Sequence, residues 1–208
     1  MIEVEIKLPL RRQEKTEETG RIAEVLCSMG FRKAARFRQR DTYFDNEAGE
    51  IRGGGKALRI RETEDLMKGI VTAELNFKGP RMDQVSMTRQ ELETEVGQAE
   101  TGRRILAALG FSPVLPEVVK ERTEYRRKEI TAALDRVEGL GDFLELEILA
   151  DEDRPGCRND CGTVNPDRKE PGAALRKLEA LLGKLGYRMS DTVTRSYLSM
   201  LQQGRRTE

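Results

Sequence analysis

Glu3, Glu5 and Lys7 open the chain at two-residue spacing, and the same spacing joins Glu145 to Glu147 and Arg59 to Arg61. Side chains two apart on an extended strand point to the same side. Carboxylates so placed offer hard oxygens to a divalent cation such as Mg²⁺ or Mn²⁺. Arginines so placed present guanidinium forks that grip phosphate oxygens in pairs, and lysines add compact positive charge. The spacing recurs in Glu74, Asn76 and Lys78, in Arg89, Glu91 and Glu93, and in Lys120, Arg122, Glu124 and Arg126. A wall built for a simple anion would need no acids. Acids and bases together fit a polyanion that arrives with bound metal, and a triphosphate is such a ligand. The chain has no histidine, which excludes Ser-His-Asp and Cys-His catalysis and histidine-bound zinc.

These side chains need strands to carry them. Ile2, Val4, Ile6 and Leu8 alternate with the first acidic set, Leu58 and Ile60 with the arginines, and Leu144, Leu146 and Ile148 with Glu145 and Glu147. A half-exposed sheet with its charged face in water is the bland alternative. Solvent faces usually mix Thr, Ser, Gln and Lys, however, whereas these carry acids and bases, and the bases are mostly Arg. Closing the sheet into a barrel turns the charged faces inward and leaves the apolar faces to pack under helices. Burying so many charges is costly unless they are paired or occupied.

The periodicity predicts strands over 1–8, 36–45, 57–62, 70–78, 83–96, 118–128, 129–138 and 143–149. It predicts helices over 16–29, 100–109, 173–185 and 192–202. Short links between successive strands favour antiparallel pairing, an α+β class. Segments 46–56 and 151–172 read as loops. Gly53-Gly54-Gly55-Lys56 lacks the spacing of a phosphate loop and reads as a flexible hairpin connection. The basic stretch 32–40 reads as an outer strand face near a barrel mouth, and Tyr43 as a packing residue with its hydroxyl near the lumen. Cys27 is expected in the core under its helix, and Cys157 and Cys161 in a plain polar loop.

Lysine plus arginine and aspartate plus glutamate each number 37 in 208 residues, a formal net charge of zero. No general affinity for nucleic acid or an anionic membrane follows. No apolar run approaches the roughly 20 residues of a membrane span, and the opening strand pattern is not a signal peptide. A cytoplasmic protein is expected.

In order along the chain, Glu3-Val4-Glu5-Ile6-Lys7, Asp41-Thr42-Tyr43-Phe44-Asp45, Ala57-Leu58-Arg59-Ile60-Arg61, Phe77-Lys78-Gly79-Pro80, Arg89-Gln90-Glu91-Leu92-Glu93, Lys120-Glu121-Arg122, Asp135 and Glu145-Leu146-Glu147 resemble the CYTH superfamily of triphosphate tunnel metalloenzymes. The likeness is strong over 1–150. Ser196-Tyr197-Leu198 is similar to the ending of class IV adenylyl cyclase-like members. The resemblance implies one domain over 1–208, an eight-stranded antiparallel closed barrel with a charged lumen and flanking helices. It implies Glu3, Glu5, Glu145, Glu147 and Asp135 as metal ligands for Mg²⁺ or Mn²⁺. Lys7, Arg59, Arg61, Lys78, Arg122 and Arg126 would hold phosphate oxygens with Arg89 and Lys120 beside them, and Lys7, Arg59, Arg61, Lys78 and Arg122 would carry catalysis. Glu91 and Glu93 would line the tunnel. The implied reaction is conversion of ATP to cyclic AMP and pyrophosphate. The alternative is hydrolysis of tripolyphosphate, thiamine triphosphate or a nucleoside triphosphate. A non-catalytic sensor is a third reading, against which the full set of glutamates argues. A homodimer is also implied. The 151–172 loop is longer than the resemblance suggests.

Overall fold

The computed structural model describes residues 2–10, 17–82, 86–150 and 170–204. Eight strands follow in order: β1 (Ile2–Pro9), β2 (Arg32–Asn46), β3 (Ala57–Asp65), β4 (Ile70–Lys78), β5 (Arg89–Val96), β6 (Phe111–Arg127), β7 (Ile130–Val137) and β8 (Gly141–Ala150). They close into an antiparallel barrel in the order β1-β5-β4-β3-β2-β6-β7-β8. The helices are α1 (Glu17–Ser28), α2 (Glu50–Gly53), α3 (Ala99–Ala108), α4 (Pro171–Lys184) and α5 (Tyr197–Gly204).

Alternation puts one set of side chains inside and the other outside. On β1 both sets are buried. Ile2, Val4, Ile6 and Leu8 pack with Leu144, Leu146 and Ile148 of β8 and with Leu178, Leu181 and Leu182 of α4. Ile22 and Leu26 of α1 complete that layer. Across the barrel, Ala99 and Leu106 of α3 cover Leu58 and Ile60 of β3. The register sets acid against acid and acid against base. Glu5 faces Glu147, and Lys7 faces Glu145; Asp41 faces Arg61; Arg122 faces Asp135.

Several boundaries differ from the sequence expectation. β2 begins four residues earlier than predicted and β6 seven; the added start of β2 pairs with β6 from Arg32 against Arg126 to Ala35 against Glu124, and the added start of β6 pairs with the end of β2, from Asn46 against Phe111 to Tyr43 against Val114. Pro113 and Pro116 hide this part of β6, because proline interrupts a strand pattern. The fifth strand starts at Arg89, not 83; residues 83–85 lie outside those described. The β6–β7 turn has no glycine because Lys128 itself adopts φ 52°. The glycine-rich connection is not a plain hairpin loop. Asp45 accepts hydrogen bonds from Ile51 N at 2.9 Å and Arg52 N at 3.2 Å, which nucleate the one-turn helix α2.

The fourth helix starts at Pro171, where the missing N–H costs nothing. The last helix begins at Tyr197 after a 3₁₀ turn, Met189–Asp191, later than predicted. Cys27 is exposed rather than buried, because α1 rests on the barrel through the narrower stripe of Ile22 and Leu26. Cys157 and Cys161 fall outside the described residues. Among the described residues no helix is long and apolar enough to cross a membrane.

Candidate active site

The lumen is a cavity of about 790 Å³, within the usual range for small-molecule sites of about 300–1,000 Å³. Every strand contributes to its wall except β7, whose Asp135 sits just behind the lining side chains. Bases outnumber acids along the wall, so the lumen favours a polyanion.

Three groups of charges organise it. In the first, the Asp41 carboxylate accepts from Arg61 Nε at 2.6 Å and Nη2 at 2.8 Å, and from Arg59 Nη1 at 3.3 Å. Arg59 also donates to Asn76 Oδ1 at 3.1 Å and to the Tyr43 hydroxyl at 3.4 Å. Burial disfavours the Asp41 anion, yet Arg59 and Arg61 outweigh burial and hold its pKa well below the carboxylate range.

In the second, Asp135 accepts from Lys120 Nζ at 2.8 Å, from Arg122 Nε at 2.7 Å and from the Tyr197 hydroxyl at 3.1 Å. Arg122 also donates to Glu145. Lys120 is pushed down to about 8 by burial and by the Arg122 charge, against the pull of Asp135. In the third, Lys7 Nζ lies 3.2 Å from Glu5 and 3.1 Å from Glu145. Lys78 bridges Glu3 and Glu91, the latter at 3.2 Å.

The β1–β8 seam gathers Glu3, Glu5, Glu145 and Glu147. Glu5 Oε1 is buried without an aligned hydrogen bond, although Lys7 Nζ stands near it. Burial and the Glu145 charge raise the Glu5 pKa despite Lys7. Burial and Glu3 push Glu147 up to about 8. Among the described residues no three of these carboxylates yet converge tightly enough to hold a metal. Lys7 and Lys78 lie between them instead. The donor set nevertheless fits a hard divalent cation: the oxygens are carboxylate, Glu5 has one to spare, and the crowding that raises Glu5 and Glu147 is what a cation relieves.

Of the residues singled out from sequence, Lys7, Arg59, Arg61, Lys78, Arg89, Lys120, Arg122, Glu91, Glu93, Glu3, Glu5, Glu145 and Glu147 all line this one cavity. Asp135 is placed among cations, against Lys120 and Arg122. Arg126 lies at the far mouth with a largely exposed side chain, paired to Glu124 at 2.8 Å. Glu93 accepts from Asn76 Nδ2 at 3.1 Å. The basic stretch of β2 does lie outside, where Arg36 pairs with Glu121 and Arg40 with Glu117.

In the sequence reading Asp41 falls in a matching motif but is given no role; in the structure it orients two arginines. Tyr197, noted only within Ser196-Tyr197-Leu198, is likewise given no role from sequence. The Tyr197 ring lies 4.4 Å from Lys7 Nζ and 5.2 Å from Lys120 Nζ, and it meets Phe143 edge to face at 4.9 Å. With Leu198 it packs against Tyr43, Val118 and Val137, so α5 lies across one end of the barrel.

The CYTH domain family matches residues 1–197. A protein of Methanocaldococcus jannaschii named as a candidate adenylate cyclase is 32% identical over 200 residues, covering 96% of this chain and 98% of its own. Adenylate cyclase CyaB of Aeromonas hydrophila is 27% identical over 167 residues, covering 79% and 73%. Among solved structures, the PH1819 protein of Pyrococcus horikoshii superposes with a TM-score of 0.79 at 32% identity, covering 98% of this chain and 99% of its own. A Hippeastrum protein, described as a candidate adenylyl cyclase with a dominant triphosphatase activity, shares the fold at a TM-score of 0.62 and 20% identity, covering 98% and 95%.

Proposed function

The chain belongs to the CYTH family, whose enzymes are generally dependent on a divalent metal, and we propose that it converts ATP to cyclic AMP and pyrophosphate inside the barrel. The observation that carries this reading is the opposition, within one cavity, of a base-rich wall to the glutamate seam of β1 and β8. The bases hold a triphosphate along the lumen, and the glutamates take its cation. Glu3, Glu5, Glu145 and Glu147 would hold Mg²⁺ or Mn²⁺, which would neutralise phosphate charge and acidify the attacking hydroxyl.

The side chains supply the rest. Arg59 and Arg61, pre-aligned by Asp41, present forks to phosphate oxygens without reorganisation. Arg122 and Lys120, fixed by Asp135, add a second fork and a point charge from β6, one strand beyond β2. Lys120, pushed down to about 8, and Glu147, pushed up to about 8, are the lumen groups matched to exchange a proton near neutral pH. Relatives that bear an adenylate cyclase name support the same reaction.

Hydrolysis to orthophosphate is the second reading, because the cation wall makes no demand on the nucleoside. Phosphorus NMR of the protein with Mg²⁺ or Mn²⁺ and, in turn, ATP, tripolyphosphate or thiamine triphosphate separates the two. Cyclic AMP and pyrophosphate, absent with Glu5→Ala, are expected. Orthophosphate absent with Glu5→Ala would replace cyclisation by hydrolysis. Tight binding with no turnover would leave a sensor.

A further inference from the structure

Charged and neutral side chains alternate around the cavity wall, and one neutral stretch crosses three adjacent strands. Phe37 and Gln39 on β2, Thr63 on β3 and Thr72 on β4 form a neutral patch. The register makes it continuous: Gln39 stands opposite Thr63, and Thr63 opposite Thr72. The patch lies toward the barrel end away from α5, since β2 and β4 begin there and β3 ends there. The other end carries Lys56, Arg81 and Arg195 on the cavity rim. The α5 end thus gathers unbalanced positive charge, whereas the open end sets the neutral patch beside the paired Glu124 and Arg126.

Gln39 is the focus of the patch. It is 6% exposed. Its Nε2 donates to Thr63 Oγ1 at 3.4 Å, while its Oε1 is buried with no hydrogen-bond partner. A buried carbonyl without a donor costs about 1–3 kcal/mol, and Gln39 is one of the residues that line the cavity. Phe37 beside it offers a half-buried ring for stacking. On its other side Gln39 pairs in register with Lys120, and Phe37 with Arg122, so the patch borders the phosphate-binding bases directly.

We infer that Phe37, Gln39, Thr63 and Thr72 form the subsite for the non-phosphate part of the substrate, and that Gln39 Oε1 accepts from the exocyclic amino group of a nucleobase stacked on Phe37. This rests on the triphosphate reading of the lumen and adds to it a specificity determinant and a direction. The base lies at the open end, and the phosphate tail points toward Lys56, Arg81 and Arg195. Substrates lacking that amino donor leave the amide oxygen unpaired, which is how a polar site rejects an analogue.

Calorimetry in EDTA reads binding without metal-dependent turnover. The ligands are ATP, purine riboside triphosphate (which lacks only the amino group) and tripolyphosphate. The wild type is expected to prefer ATP over purine riboside triphosphate by about three- to tenfold, the worth of one neutral hydrogen bond. Gln39→Leu is expected to abolish that preference and leave tripolyphosphate affinity unchanged. Phe37→Leu is expected to weaken both nucleotides while preserving their ratio. A preference that survives Gln39→Leu would overturn the assignment, as would an equal loss of tripolyphosphate binding. Wild-type binding of tripolyphosphate with no preference between the nucleotides would overturn the subsite and leave the triphosphate reading standing. Failure to bind any triphosphate would overturn both.

Discussion

Asp41→Asn tests whether the first charge cluster is built as described. The Asp41 carboxylate is 1% exposed and is shared by two guanidiniums, which are themselves 9% and 8% exposed. The amide is nearly the same size, so packing is kept and only the charge is lost. Two buried cations are then left without their acid. Removing one partner of a buried ion pair costs about 3–5 kcal/mol. For a chain of this size that is a fall of roughly 6–20 °C in Tm. The acid dependence has a definite sign. The folded Asp41 pKa lies below its unfolded value, so its contribution is present above the ordinary carboxylate range and fades as pH falls through the folded pKa. The gap between wild type and variant should therefore be full at pH 7 and narrow in acid. Adding tripolyphosphate at pH 7 should also close part of the gap, because phosphate oxygens replace the missing carboxylate and ligand bound to the folded state stabilises it. Thermal melts across pH, with and without tripolyphosphate, measure all three. Equal melting temperatures at pH 7, or a gap that widens in acid, would refute the account of Asp41 as the anchor of Arg59 and Arg61.

Glu147 gives the opposite pH signature. Its pKa rises from 4.5 to about 8 on folding, so the metal-free protein should lose stability as pH climbs from about 4.5 to 8; Glu147→Gln should flatten that slope, and Mn²⁺ should raise the wild-type melting temperature more at pH 8 than at pH 5. Tyr197→Phe keeps the ring over Lys7 and removes the hydroxyl that Asp135 accepts from. A loss of about 0.5–1.5 kcal/mol in urea unfolding is expected, with kcat falling more than KM rises, and an unchanged kcat would remove Tyr197 from the positioning network. Leu178→Ala empties a fully buried site between α4 and the barrel; unfolding should be easier by about 2–5 kcal/mol, with nucleotide preference unchanged.

The barrel was readable because its charges could not be explained otherwise. A two-residue period in Glu, Lys and Arg, set against an equally regular apolar period, specifies both faces of each strand. The lumen residues of β1, β3 and β8 follow from that alone, and the structure brings them into one cavity. What the period does not carry is the partner of each charge. Asp41 sits in a strand whose other lumen residues are Phe37, Gln39 and Tyr43, so it breaks no pattern. Its importance arises only when β3 lies beside β2 and presents Arg61 opposite it. Pairing of that kind is a property of register across strands, and a single strand's sequence does not contain it.

The same limit explains Tyr197 and Gln39, and it separates what the sequence could predict from what required coordinates. Tyr197 belongs to a helix near the end of the chain, and nothing near it in sequence is basic enough to suggest Lys7 or Lys120 as neighbours. Only the closure of the barrel, with α5 across one end, brings its ring to both lysines. Gln39 looks like an ordinary polar residue in a basic strand until burial is known. It is then a neutral amide walled into a charged tunnel, with one end satisfied and the other not. A tunnel whose only task was to grip phosphate would gain from another arginine there. The neutral patch therefore separates a site for triphosphate alone from one that also reads what the triphosphate is attached to, and nucleotide discrimination tests that distinction more sharply than loss of a phosphate-binding arginine, which would weaken both kinds of site alike.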